Sequence, residues 1–449
     1  MNFIESCRQF IAIDTSTSVG SAEAASWLKN FAQELGLVVE SQEFVFGDRN
    51  EANLVIRPKN SQRQNMDFLL QSHMDTVDPG PFHAWANTNF DPFFATIEDG
   101  YIHGLGAAEV KLDLLTKIRA LAQFKDHQNF VLNPVFVATF GEETGMQGAL
   151  RVIRKNLVHP KYAVISEPSD MSIINAAKGF AHVEIQVPFS KEELEHRSSH
   201  DLTESTSTQS KLFKGKSTHS STPHWGESAI KKLFKHLEQL PRGLTIMAVD
   251  AGTNFNSVPA QAFLELDFFS NREATIAERL IRINQTIETL ESDISLIKDD
   301  RFMPNHSTLN IGIMRTHEDH IYLSGTCRML PSINQETYEK WMARIHAICT
   351  EVGATFRVVD YKKPFSTPDN SILVKACVDT LKNCGIETKV QTLPSTNEAS
   401  LFSRIGVECV CFGPGTREDN IHTPNERVKL SDLELSEQFY VKLIERFCL

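Results

Sequence analysis

The sequence predicts an α/β domain interrupted by an inserted α+β domain, and three observations carry that expectation. Strand and helix patterns alternate through the first part of the chain. Near Lys178 the pattern changes to the period-two alternation of half-exposed antiparallel strands. From about Pro364 the first pattern resumes. The expected architecture is a mixed, mostly parallel sheet covered by helices, built from 1–177 and 364–449, with helices on an antiparallel sheet at 178–363. A chain of 449 residues also exceeds what one ordinary core serves.

Taken in order, AEAASWLKNFAQEL (22–35) has apolar residues at helical spacing. LVVESQEFVF (37–46), ANLVIRP (52–58) and MDFLLQSHMDTV (66–77) read as strands, rich in Val, Phe and Leu. EVKLDLLTKIRALAQF (109–124) is helical by periodicity, and VLNPVFVATF (131–140) and KYAVISEP (161–168) are apolar strands. KGFAHVEIQVPF (178–189) alternates. The tract at 190–211 has almost no apolar residues and reads as a loop or insertion. Beyond it, SAIKKLFKHLEQL, IAERLIRINQTIETL and YEKWMARIHAICTEVG read as helices, and AQAFLELDFF, HIYLSGTCRML and TFRVVDYKK as strands. The closing segments are a helix, SILVKACVDTLKNCG, a strand, VECVCFGPG, and a last helix, DLELSEQFYVKLIERF.

An apolar fraction of 41% and a charged fraction of 23% are those of an ordinary globular protein. A formal net charge of -12 argues against a nucleic-acid partner, which would require a basic face. No run of about 18 apolar residues suggests a membrane span. The N-terminal MNFIESCRQFIAIDTSTS lacks the basic and apolar regions of a signal peptide. The eight cysteines form no CxxC pair, and Cys409 and Cys411 alternate within an apolar strand. Reduced core cysteines in a cytoplasmic protein are expected.

Five motifs carry chemistry. His73 and Asp75, in SHMDTV, lie two apart on an extended chain and share a face, so one can ligate a metal while the other holds the imidazole. In GLGAAEVK, glycines allow a sharp turn before Glu109, which could bridge two cations or simply favour the first turn of a helix. Glu142 and Glu143 follow a strongly apolar strand, where one could bind metal and the other act as general base. Glu167, in SEP, and His422, in IHTPNE, also follow strands. Each motif alone also fits a structural or solvated role. Together they place two histidines and several carboxylates at the strand ends of one sheet, where open α/β folds build their sites. Such a mixed set suits zinc, or manganese or cobalt.

The ordered series SHMDTV, GLGAAEVK, FGEETG, SEP, GKSTHSSTP and IHTPNE, spread over nearly the whole chain, resembles a known zinc-dependent amidohydrolase and peptidase family. That family includes acetylornithine deacetylase, succinyl-diaminopimelate desuccinylase, carboxypeptidase G and bacterial dipeptidases. The resemblance implies that His73, Glu109 and Glu167 hold one divalent ion and that Glu109, Glu143 and His422 hold another. Asp75 would orient His73, and Glu142 would be the general base. The inserted domain would be a lid, with His219 stabilising the oxyanion and Arg328 clamping a substrate carboxylate. Asn254 or Asn256, and Ser395 with Thr396, would also meet the substrate. The implied reaction is hydrolysis of an amide bond beside a free carboxylate, in a dipeptide, a short peptide C-terminus or an N-acyl amino acid.

Two departures from the family pattern stand out. Glu109 occupies a bridging position normally held by Asp, and Asn397-Glu398 stands where Thr-Asp is frequent. Asp113 could substitute for Glu109, although a solvated helix position is the plainer reading. The long inserted domain suggests a doubled lid and a monomer, where a single lid would imply a homodimer. A non-hydrolytic or single-metal relative that binds peptides or amino acids is the alternative function, and the intact Glu142 and His219 argue against it. His83, His103, His317 and His320 read as surface or structural residues, and Phe90, Phe93 and Phe94 as packing beneath the site.

Overall fold

A computed structural model describes residues 2–62, 64–200, 209–269 and 273–449. The chain divides into two compact units, one of 1–176, 365–392 and 397–449, the other of 177–364 with 393–396. Both expected layers are present: a mixed sheet with helices in the first unit, an antiparallel sheet with helices in the second.

The sheet of the first unit has nine strands, eight of them in the order Val38–Phe46, Arg49–Arg57, Asn133–Thr139, Asp67–His73, Pro160–Ile165, Glu408–Cys411, Ile173–Ala177, Phe365–Ser366. Its four central strands, from Asn133–Thr139 to Glu408–Cys411, are mutually parallel. Asp67–His73 and Asn133–Thr139 are buried along their whole length. That is why they read as continuous apolar runs rather than as alternation. The helices Lys111–Ala122 and Leu430–Cys448 pack on this sheet and on each other. Phe10, Phe68, Phe136, Leu115, Phe439 and Tyr440 belong to the same core. Fully burying each such side chain contributes about 1.5–3 kcal/mol.

The second unit is a seven-stranded antiparallel sheet in the order Gln209–Lys214, Gln261–Phe268, Leu244–Ala251, Thr308–Thr316, His320–Met329, Gly179–Pro188, Thr355–Lys362. A three-stranded and a four-stranded part meet between Leu244–Ala251 and Thr308–Thr316, where only two residue pairs are in register. The helix Ile276–Ser295 starts at a reciprocal capping box of Thr275 and Glu278.

Three local expectations change. The polar tract 190–211 contains the helix Lys191–His200 and the strand Gln209–Lys214; 201–208 lie outside the described residues. The helix exists because Ser190 and Glu193 cap it reciprocally, through Ser190 N to Glu193 Oε2 (2.9 Å) and Glu193 N to Ser190 Oγ (3.1 Å). Buried Glu193 also accepts from Thr245 Oγ1 and the Ile276 amide, and pairs with Arg279. Asp113 is not solvated. It is buried, 3.1 Å from Lys117 Nζ, and accepts from Thr116, Ser166 and Tyr440 hydroxyls. Phe90 and Phe94 face solvent rather than lying beneath a site, and Trp85 is the aromatic this loop buries. Among the described residues no helix is long and apolar enough to cross a membrane.

Candidate active site

The four central parallel strands end side by side, and each delivers functional side chains just beyond its C-terminal end. His73 is the last residue of its strand. Glu142 and Glu143 follow Asn133–Thr139, Glu167 follows Pro160–Ile165, and His422 follows Glu408–Cys411 after a loop. Glu109 arrives separately, on the glycine-rich turn before Lys111–Ala122. Gly106 on that turn has φ +78°, and a Cβ there would lie 2.5 Å from the Lys111 side chain, so the turn closes only with glycine.

Two sets of ligand atoms converge, each within 4.8 Å: His73 with Glu142 and Glu143, and Glu109 with Glu143 and His422. His422 Nε2 lies 2.7 Å from Glu109 Oε2 and 3.0 Å from Glu143 Oε1. One imidazole N–H serves one oxygen. By angle the hydrogen bond runs to Glu143, and buried Glu109 Oε2 meets His422 as an ion pair alone. A buried carboxylate oxygen left in that state fits a cation. Glu167 stands outside both sets. Its Oε2 is 2.7 Å from Arg417 Nη1.

The electrostatics are those of a crowded acidic centre. Burial pushes Glu142 well above the usual carboxylate range, with Glu143 adding to the effect. Burial likewise raises Glu167, against the pull of Arg417, to about 7. For Glu109 burial is overcome by the charge of His422, and its pKa falls to about 2. For His422 burial is overcome by Glu109 and then Glu143, and its pKa rises to about 12.

Asp75 acts mainly on the neighbouring loop. Its two carboxylate oxygens accept the amides of Glu142 (3.1 Å) and Glu143 (3.0 Å). His73 Nδ1 bonds the Asp75 carbonyl at 2.9 Å and lies 3.6 Å from the Asp75 carboxylate. Glu426 has a comparable role that sequence reasoning missed, although it closes the IHTPNE motif. Buried, it accepts the amides of Gly106, Ala108 and Glu109 at 2.8–2.9 Å and so fixes the Glu109 turn. Glu398, one of the departures from the family pattern, is a further buried carboxylate. It accepts from Thr139 Oγ1 (3.0 Å) and Gln71 Nε2.

In the second unit, His219, Asn256 and Arg328 form a hydrogen-bonded row. Arg328 Nη2 donates to Asn256 Oδ1 (2.7 Å), and Asn256 Nδ2 meets His219 Nε2 (3.0 Å). Ser221 Oγ is 2.6 Å from His219 Nδ1. The Ser221 amide also donates to His219 Nδ1, at 3.2 Å. Asn254 shapes the turn by accepting the Asn256 amide at 2.8 Å, so Asn256 is the residue brought to His219 and Arg328. Arg328 is buried, with its guanidinium 4.6 Å from the Phe180 ring centroid, and burial lowers its pKa to about 10. Among the described residues no carboxylate lies within 4 Å of it. Ser395 is half-buried, and Thr396 Oγ1 is a buried hydroxyl oxygen without a partner.

Residues 69–446 match the model of peptidase family M20/M25/M40, and the chain belongs to that family. It is similar to an acetylornithine deacetylase of Myxococcus xanthus, 21% identical over 98% of this chain and 96% of that one. Among solved structures it resembles an aminoacylhistidine dipeptidase of Vibrio alginolyticus (TM-score 0.66, 14% identity, 99% and 96% covered). It also resembles an M20 family metallo-carboxypeptidase of Sulfolobus solfataricus (TM-score 0.64, 17% identity, 100% and 99% covered). The protein is accordingly a hydrolase of amide bonds, in a metal-dependent family.

Proposed function

We propose that this protein is a cytoplasmic deacylase or peptidase that cleaves an amide bond beside a free carboxylate, in a dipeptide, a short peptide C-terminus or an N-acyl amino acid. The observation that carries the reading is the division of labour between adjacent carboxylates. Glu143 is engaged by His422, while Glu142 is held by Asp75 through its backbone alone and has a raised pKa. A carboxylate with that affinity for a proton suits a general base, which takes a proton from the attacking water and returns it to the leaving amine.

Glu109, Glu143 and His422 would hold one divalent ion, and His73 with Glu167 would supply donors for a second. Zinc suits this mix of imidazole and carboxylate, with cobalt or manganese as substitutes. Bound there, such an ion polarises the scissile carbonyl and acidifies the attacking water. Asp75 keeps Glu142 and Glu143 in register, and Glu426 keeps Glu109 in place. His219 would donate to the developing oxyanion, and Arg328 would bind the substrate carboxylate. A buried guanidinium without a carboxylate partner of its own supports the second role. Asn254, Ser395 and Thr396 are proposed to line the substrate end, with Asn256 linking His219 to Arg328.

The chain pieces 1–177 with 364–449 would form the catalytic domain and 178–363 the lid. The narrow join within the second unit's sheet supports a lid of two halves. A monomer of 50.5 kDa that supplies all these residues itself is the corresponding assembly. The eight unpaired cysteines accord with a reducing compartment. The test is hydrolysis of dipeptides and N-acyl amino acids by zinc-loaded protein, before and after chelation. Chelator-sensitive turnover supports the reading, and no turnover with any added metal would sink it.

A further inference from the structure

Glu167 is the expected ligand that the geometry sets apart. The other acidic residues at the strand ends converge in sets of three, whereas Glu167 is committed to Arg417 at 2.7 Å. Arg417 was not singled out by its sequence context. The loop that carries it is hydrogen-bonded to the segment after Glu167. Ser169 Oγ donates to Gly413 O (3.0 Å) and accepts from Gly413 N (3.1 Å), and Asp170 N donates to Gly415 O (2.8 Å). The two segments also approach closely here, since a Cβ at Gly413 would lie 2.8 Å from the Glu167 carbonyl. The guanidinium is therefore held in place by backbone rather than swinging on a free loop.

We propose that Arg417 competes with the second divalent ion for Glu167, so that the centre binds one ion firmly at Glu109, Glu143 and His422 and the other weakly. The proposal rests on the metal-centre reading above. A guanidinium stays charged at any working pH and already supplies one of the positive charges that Glu109, Glu142, Glu143 and Glu167 require. Its charge acts on Glu109 as well as on Glu167. Arg417 takes one oxygen of Glu167, so an ion bound to His73 and Glu167 must share that carboxylate with the guanidinium or displace it, and in either case lie beside a fixed positive charge. Arg417 is thus a positioning residue that sets how many ions the centre holds at a given metal concentration.

The test is a calorimetric titration of metal-free protein with zinc, checked by elemental analysis. Wild-type protein should show two steps separated by roughly a hundredfold or more in affinity. Arg417→Gln should tighten the second step by roughly tenfold or more and change the first step much less. Arg417→Lys keeps the charge and should keep the wide separation. Two equally tight steps in the wild type, an unaltered second step in Arg417→Gln, or a Lys variant that behaves like Gln would each overturn the proposal. Loss of the first step in wild-type protein would instead remove the metal-centre reading, and this proposal with it.

Discussion

The two units of this chain solve opposite electrostatic problems. The first gathers Glu142, Glu143 and Glu167 at the ends of parallel strands and Glu109 on the turn before Lys111–Ala122, with His422, His73 and Arg417 as the counterweight. The second buries Arg328 against an amide oxygen and an aromatic face, with His219 on the other side of that amide. One set is short of cations and the other is short of an anion. Each deficit fits the ligand proposed for it: a divalent metal in the first case and a carboxylate-bearing substrate in the second.

The comparison breaks most severely if Glu142 loses its charge. Glu142→Gln should lower turnover roughly a hundred- to ten-thousandfold, with metal content and folding retained. Retained turnover, measured beside elemental analysis, would show that Glu142 is not the base. On the other side, Arg328→Ala should lower kcat/KM by roughly a hundredfold for substrates with a free carboxylate, because it removes a buried charge partner. Substrates lacking that carboxylate should be little affected, and an equal loss on both would mean that Arg328 only supports the fold.

A smaller effect is expected one layer behind the ligands. Glu426→Gln loses charge-assisted acceptance from the Gly106, Ala108 and Glu109 amides, so metal affinity should fall roughly ten- to a hundredfold. Unchanged affinity in a calorimetric titration would show that the turn holds itself.

The smallest effect concerns pH. Burial raises the Glu398 pKa to about 7, above the 4.5 of an unfolded chain. The folded protein then holds a proton that the unfolded chain releases, so this contribution is present below pH 4.5 and lost as pH rises through 7. Glu398→Gln does not titrate. Between pH 5 and 7.5 the metal-free variant should therefore lose less thermal stability than the wild type, by on the order of 1–3 kcal/mol. An equal loss in variant and wild type would show that Glu398 is ionised throughout.

The legible parts of the sequence were those with a period or a motif. The buried strands around Leu70 and Val137 announced themselves as apolar runs, and His73, Glu142, Glu143, Glu167 and His422 stood at their ends. The helix Lys191–His200 was hidden because it is held by one buried carboxylate rather than an apolar stripe; the Ser190 and Glu193 spacing was its only local signal. Glu426 and Arg417 were harder, because their partners are remote in sequence, as are the Ser166 and Tyr440 partners of Asp113. Arg417 meets a residue 250 positions away, and Glu426 meets backbone amides more than 300 away. A charged residue in a polar stretch gives no local sign that it is buried. Asn254 and Asn256 differ only in which reaches His219, a detail set by the turn itself.

The most direct measurement is a paired assay on zinc-loaded protein, in which each dipeptide or N-acyl amino acid is compared with its C-terminal amide. Turnover of the free acids at least tenfold above the amides, abolished by chelator and narrowed in Arg328→Ala, is the expected result. Equal turnover of acids and amides, or hydrolysis that survives complete metal removal, would contradict the reading of a metal-demanding centre served by a carboxylate-seeking arginine.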